Sequence, residues 1–326
     1  HHLGRLMAVY TEVSDSQLAA FMDQYDLGDP LGLMPIAEGV ENSNYRLATS
    51  TGTYILTIYE KRVDREDLPF FLGLMEHLSA GGIPCPLPIQ GRDGEALREL
   101  SGKAAAIITF LDGAWPRKIK PVHCRGLGAA MAQMHLAGAD FALSRPNSLS
   151  MTGWREVFQT VQSRADEVAP GLAAEIAREL DFIEANWPKD LPAGVIHADL
   201  FPDNVFFKGD GLSGIIDFYF ACNDFFAYDL AICLNAWCFE PDRSFNVTKA
   251  KLMLSSYRKV RPFSETEVAN LPLLARGAAL RFLLTRLHDW LHQVDGALVK
   301  PKDPAEYLQK LRFHRDVTGP ADYGLD

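Results

Sequence analysis

Val195-Ile196-His197-Ala198-Asp199-Leu200-Phe201-Pro202-Asp203-Asn204-Val205-Phe206-Phe207, followed by Gly214-Ile215-Ile216-Asp217-Phe218, holds the most information in this chain. Two hydrophobic stretches of strand character flank a polar loop, and Asp217 ends the second of them. Phosphoryl transfer needs a carboxylate to orient and deprotonate an acceptor hydroxyl. It also needs oxygen ligands for the magnesium ion that neutralises nucleotide phosphates. Asp199 fits the first role, and Asn204 with Asp217 fits the second. Any one of these residues would be at home in a turn or a helix cap. Together with His197, between apolar flanks, they carry the chemical reading. His197 is expected to brace the loop rather than to shuttle protons.

The surrounding chain divides in two. His1 to Leu6 read as a tag remnant, with Met7 as the native start. Ser14-Asp15-Ser16-Gln17 is a capping-box pattern that predicts a helix to about Tyr25. Residues 45–47 and 54–59 are rich in β-branched and aromatic side chains, and Ser50-Thr51-Gly52 between them predicts a hairpin turn. A helix is expected over 67–79, ended by Gly81-Gly82, followed by the extended segment 84–88 and a buried strand over 104–110. From Pro121 onward the pattern is mainly helical, and Ser264-Glu265-Thr266-Glu267 is a second capping box opening a long helix to about Trp290. The expected division is a strand-rich part, 7–110, and a mainly helical part, 111–326, to which the family resemblance described below assigns nucleotide binding and catalysis with substrate binding, respectively.

With 48% hydrophobic and 23% charged residues, the composition is that of an ordinary globular protein with a sizeable core. A net charge of −10 argues against nucleic-acid or anionic-membrane partners. No uninterrupted apolar run approaches the roughly 20 residues that span a bilayer, and a cytoplasmic location is expected. Cys85, Cys124, Cys222, Cys233 and Cys238 form no CxxC pair and are expected to be buried thiols. Oligomeric state is not legible.

H-x-D-x-x-x-x-N followed by a strand-ending Asp resembles the aminoglycoside phosphotransferase and choline kinase superfamily. The resemblance implies an α+β, two-lobed protein-kinase-like fold, with an antiparallel sheet in the small lobe and a larger, mainly helical lobe. ATP and Mg2+ are the implied cofactors. A protein kinase fits less well, because the Arg of H-R-D is absent, Asp217-Phe218-Tyr219 stands for D-F-G, and no A-P-E follows. Gly39, Val40, Asn42, Ser43 and Asn44 resemble the short phosphate-covering turn of these kinases, although an ordinary hairpin turn reads the same way. Phe110 and Leu111 fall where the adenine-binding hinge is implied. Thr57 occupies the place of the strand lysine. Lys61 has the same side-chain parity but lies about 13 Å further along an extended strand. Glu66 and Glu76 both remain open as the lysine's carboxylate partner.

The segments 55–62, 219–238 and 281–287 resemble the homoserine kinase branch, including the threonine at position 57. That resemblance implies transfer of the ATP γ-phosphate to the hydroxyl of L-homoserine, a step toward threonine. An amino-acid acceptor asks for a cation for its carboxylate and an anion for its ammonium. Arg281 shares a helical stripe with Thr285, His288 and His292, and is the candidate cation unless that stripe is a solvated face. Asp224 or Asp229 is the candidate anion, and Asp229 is also placed to cap a helix. Tyr228 and Trp237 are candidates to wall the pocket, or core residues. Two alternatives stay open: a kinase of another small alcohol, such as choline or an aminoglycoside, and a nucleotide-binding pseudokinase.

Overall fold

The computed structural model describes residues 11–36, 41–294 and 300–326. The chain forms two compact units. The first holds the residues up to Gly113 with Phe141–Leu143 and Ser213–Tyr219; the second holds Ala114–Asp140, Ser144–Leu212 and Phe220–Asp326. A contiguous division at 110/111 misses the two returning segments, which aromatic burial draws into the first unit. Phe141 packs edge-on against Phe70 at 5.5 Å, and Tyr219 against Phe71 at 5.6 Å.

In the first unit, helix α1 (Asp15–Met22) starts with the reciprocal box read from the sequence. Gln17 N–H donates to Ser14 Oγ at 3.1 Å, and Ser14 N–H donates to Gln17 Oε1 at 2.9 Å. Strands β1 (Pro30–Pro35), β2 (Ser43–Thr49), β3 (Gly52–Ile58), β4 (Arg98–Leu100) and β5 (Lys103–Thr109) form an antiparallel sheet in the order β1-β2-β3-β5-β4. Thr49 pairs with Gly52, so Ser50 and Thr51 make the expected tight turn. β1 was not anticipated, because two prolines and a glycine obscure it. As an edge strand it tolerates them.

Strand parity assigns the two faces of the sheet. Tyr45, Leu56 and Ile107 lie directly opposite one another and pack with Leu18, Phe21 and Met22 of α1 into one buried cluster. Arg46, Ile55 and Ile108 project from the other face. Helix α2 (Leu68–Ala80) ends in a Schellman motif. Ile83 N–H donates to Leu78 O at 3.0 Å, and Gly82 sits at φ +88°, where a side chain would be strained.

The second unit is mainly helical: α3 (Pro121–Ala137), α4 (Met151–Val161), α5 (Leu172–Asn186), α6 (Phe226–Trp237), α7 (Val247–Val260), α8 (Glu265–Leu291) and α9 (Ala305–Arg315). α8 is its axis and packs against α4, α5, α6 and α9. Leu283, Leu284 and Leu287 are fully buried there, each stabilising by about 1.5–3 kcal/mol. Among the described residues, α8 is the helix whose length and mean hydropathy would allow a membrane crossing. Its packing among four other helices makes it a core helix instead. Ser264 caps it, with Glu267 N–H donating to Ser264 Oγ at 3.1 Å. Strand β6 (Ala193–Ile196) pairs antiparallel with β9 (Cys222–Phe225). Strands β7 (Val205–Lys208) and β8 (Gly211–Ile215) form a two-stranded sheet, and the chain passes into the first unit within β8. All five cysteines are free and buried, as their setting in the sequence implied.

Candidate active site

The loop after β6 is held by its backbone. Asp229, in the first turn of α6, is fully buried, and its carboxylate accepts His197 N–H and Ala198 N–H, both at 3.0 Å. A third donor, His135 Nε2 on α3, reaches it at 2.8 Å, and His135 Nδ1 meets the Tyr257 hydroxyl of α7 at 2.6 Å. Burial pushes the Asp229 carboxyl up, but the bonds from His135 and the Ala198 backbone outweigh it and hold the group below its usual value. Ala198 is pinned in the left-handed region at φ +66°, a conformation that costs a residue with a side chain about 1–3 kcal/mol.

That strained residue aims the next one. Asp199 N–H donates to His197 Nδ1 at 3.1 Å, so His197 braces the loop through an accepting ring nitrogen. Asn204, at the end of a short 3-10 turn before β7, donates from Nδ2 to Asp199 O at 2.8 Å and to Asp199 Oδ2 at 3.3 Å. With its nitrogen turned to Asp199, the amide's oxygen is the atom suited to a hard cation. Asp217, in the first unit, also stands in the left-handed region, at φ +62° just beyond β8. Two residues on, Tyr219 bonds hydroxyl to hydroxyl with Tyr59 at 2.9 Å.

The predicted acceptor residues separate into two groups. Asp229 and Trp237 serve the loop. Both oxygens of Asp229 are taken as described, and Trp237, fully buried, donates from Nε1 to Leu200 O at 2.6 Å. Asp229, offered as an ammonium partner or a helix cap, here holds the loop backbone, and Trp237 takes the core position that was its alternative. Arg281, Tyr228 and Asp224 form the other group. Arg281 is 2% exposed, so its helix stripe is not a solvated face at that position. Its Nη1 donates to Ala198 O at 2.9 Å. Among the described residues, Arg281 Nε and the Tyr228 hydroxyl are buried with no hydrogen-bond partner. Burial pushes the Tyr228 hydroxyl above its ordinary value against the pull of the Arg281 charge. Burial likewise raises the Asp224 carboxyl, which accepts Asn147 Nδ2 at 2.9 Å and Phe225 N–H at 2.7 Å.

In the first unit, Gly39 and Val40 lie outside the described residues. Asn42, Ser43 and Asn44 are wired into the sheet: Glu60 N–H donates to Asn42 Oδ1 at 3.2 Å, Ser43 Oγ donates to Glu60 Oε1 at 2.6 Å, and the Thr57 hydroxyl donates to Asn44 Oδ1 at 2.8 Å. Phe110 is 40% exposed beneath the Arg46 guanidinium, and Leu111 packs on Gly214. Sequence reasoning missed His135, Tyr257 and Asn147. The one available signal was a histidine inside the apolar run 129–137, where a polar residue needs a buried partner.

Residues 32–263 match the family model described as APH, phosphotransferase enzyme family. The chain is 65% identical to a homoserine kinase of Bradyrhizobium diazoefficiens over 98% of both chains, and 63% identical to one of Rhodospirillum rubrum over 98% and 99%. Among solved structures it resembles an amicoumacin kinase in complex with AMP-PNP, Ca2+ and Ami, with a TM-score of 0.71 at 16% identity over 97% of each chain. It also resembles a microcompartment-associated aminopropanol kinase, with a TM-score of 0.66 at 17% identity over 93% and 97%.

Proposed function

Because the chain belongs to the phosphotransferase enzyme family and, within it, to the homoserine kinases, we propose that it transfers the γ-phosphoryl group of ATP to the side-chain hydroxyl of L-homoserine, giving O-phospho-L-homoserine on the way to threonine. The unpaired Arg281 Nε and Tyr228 hydroxyl, buried near Asp224, support an α-amino-acid acceptor. The acceptor's carboxylate bonds Arg281 Nε and the Tyr228 hydroxyl, and its ammonium bonds Asp224. An ammonium there stabilises the ionised carboxylate that burial otherwise disfavours. A buried guanidinium counts against choline or an aminoglycoside as acceptor.

Asp199 takes the proton of the acceptor hydroxyl. Asn204 and Asp217 supply an amide and a carboxylate oxygen, a donor set that fits Mg2+. When bound, Mg2+ neutralises the charge that develops on the phosphates. We place the nucleotide on the first unit, with residues 39–44 at the phosphates and Phe110 and Leu111 at the base. Location in the cytoplasm, where ATP and amino acids are available, belongs to the same proposal.

Replacing Arg281 by Leu tests the acceptor site. The KM for L-homoserine should rise at least about tenfold, the value of a bond to a charged group, while ATP affinity holds. Tyr228→Phe should shift the homoserine KM in the same direction with little loss of thermal stability, because the hydroxyl it removes has only the nearby Arg281 guanidinium beside it and no well-formed hydrogen bond in the free protein. Unchanged homoserine kinetics in both variants would contradict the assignment.

A further inference from the structure

Tyr307, in the first turn of α9, is fully buried, and among the described residues its hydroxyl has no hydrogen-bond partner. The other buried tyrosines of the second unit give the contrast. The Tyr257 hydroxyl meets His135 Nδ1 at 2.6 Å, and the Tyr323 hydroxyl meets His314 Nδ1 at 2.8 Å. Tyr228 and Tyr307 make no such bond, and both feel the Arg281 charge. A hydroxyl buried without a partner is destabilising, and a bound molecule that supplies the partner removes that cost.

Aromatic packing fixes where Tyr307 stands. The Phe282 ring meets the Tyr307 ring at 5.6 Å, the Phe201 ring edge-on at 4.9 Å and the Arg281 guanidinium at 4.4 Å. Phe201 follows Asp199 by two residues, and Arg281 Nη1 holds the Ala198 carbonyl just before it. Phe282 therefore joins Tyr307 to both the base and the carboxylate-binding cation. Two further cations pin the ring: Arg286 lies 4.3 Å from its centroid and Lys310 lies 4.6 Å from it. Arg286 is itself fixed by Glu306 at 2.6 Å, and Lys310 by Asn235 O at 2.7 Å. Burial raises the pKa of the Tyr307 hydroxyl most; Arg286 lowers it, Glu306 and Asp199 raise it, and Arg281 lowers it. The hydroxyl thus stands within electrostatic reach of both Asp199 and Arg281, and at neutral pH it keeps its proton and is a donor.

We propose that the Tyr307 hydroxyl donates to the side-chain hydroxyl oxygen of the acceptor and so orients the lone pair that attacks phosphorus. This rests on the amino-acid reading above, in which Arg281 and Tyr228 take the acceptor's carboxylate and Asp224 its ammonium. The acceptor's hydroxyl is the polar group left for Tyr307. Its oxygen has two lone pairs: one forms the bond to the γ-phosphorus, and the other accepts from Tyr307. Its proton passes to Asp199, the bond between the γ-phosphorus and the bridging oxygen breaks, and that electron pair leaves with ADP. Tyr307 keeps its own proton throughout, and its contribution is orientation.

The test compares wild type with Tyr307→Phe in the full chain, by steady-state kinetics with L-homoserine and by competitive inhibition with L-2-aminobutyrate, which is homoserine without the hydroxyl. Tyr307→Phe should lower kcat/KM for L-homoserine about tenfold, the upper range for one neutral hydrogen bond, and leave the KM for ATP and the inhibition constant of L-2-aminobutyrate unchanged. The variant keeps the ring and its contacts with Phe282, Arg286 and Lys310, so it retains the fold. An unchanged kcat/KM would overturn the proposal. So would an equal weakening of L-2-aminobutyrate, which would put the hydroxyl on the acceptor's carboxylate or make it part of the pocket's shape. A wild type that L-homoserine does not stimulate would remove the acceptor reading and this proposal together, whereas the difference between Tyr307→Phe and wild type bears on the proposal alone.

Discussion

Asp229→Asn removes the anchor of the catalytic loop while keeping its shape. The carboxylate serves three donors, His197 N–H, Ala198 N–H and His135 Nε2, and an asparagine offers one acceptor oxygen. With that oxygen toward His135 and His197, the Ala198 N–H faces a second donor; with the amide reversed, two donors are stranded. One stranded buried donor costs about 1–3 kcal/mol, and two cost about twice that. Ala198, held at φ +66°, can then relax and recover part of the loss. What it gives up is the direction of Asp199. The unfolding free energy should therefore fall by about 1–3 kcal/mol at pH 7, a large share of a domain's usual 5–15 kcal/mol. Turnover should fall while the KM for ATP stays close to wild type. Because the folded-state pKa of Asp229 is depressed, its stabilising effect is complete above the ordinary aspartate value of about 3.9 and is lost as pH falls through the depressed value. The gap between variant and wild type should narrow on acidification. Urea denaturation across pH, with steady-state kinetics, checks both. A variant with wild-type stability and turnover at pH 7 would refute the reasoning.

Asp199→Asn should bind ATP normally and lose at least about 100-fold in turnover, the scale of general-base catalysis, as read by steady-state kinetics with nucleotide titration. Lys310, whose ammonium donates to Asn235 O at 2.7 Å in a buried setting, has its pKa lowered to about 8 by burial. Between pH 8 and its ordinary value the unfolded chain binds the proton that the folded chain has released. The Lys310 contribution to stability, read as the difference between wild type and Lys310→Met, should accordingly rise with pH across that window by on the order of 3 kcal/mol. Lys310→Met should abolish that rise in denaturation curves.

The local signals in the sequence were those whose physics is local. The Ser14 and Ser264 capping boxes, the Gly81-Gly82 helix stop and the β2–β3 turn each depend on a few adjacent residues. The H-x-D-x-x-x-x-N spacing is legible for the same reason, since Asn204 reaches back only to Asp199. Arg281, 83 residues from the Ala198 carbonyl it holds, could be placed on a helix stripe, but its partner could not be named. Asp229 was read as a pocket or cap residue because its donors come from α3 and from the loop after β6. No periodicity encodes a carboxylate's choice among distant donors. β1 escaped because an edge strand needs neither alternation nor the absence of proline. The segments 141–143 and 213–219 return to the first unit through aromatic contacts that only the folded chain reveals.

The acceptor is identified by measuring ATP consumption and phosphorylated product with L-homoserine, L-serine, L-threonine, choline and kanamycin under the same Mg2+-containing conditions. L-Homoserine should exceed all the others. Serine is one methylene shorter, so with its carboxylate on Arg281 and its ammonium at Asp224 the hydroxyl falls short of the γ-phosphate, a misplacement that can cost about 100-fold. Preferential phosphorylation of choline or kanamycin, or ATP binding with no acceptor stimulating turnover, would contradict the account.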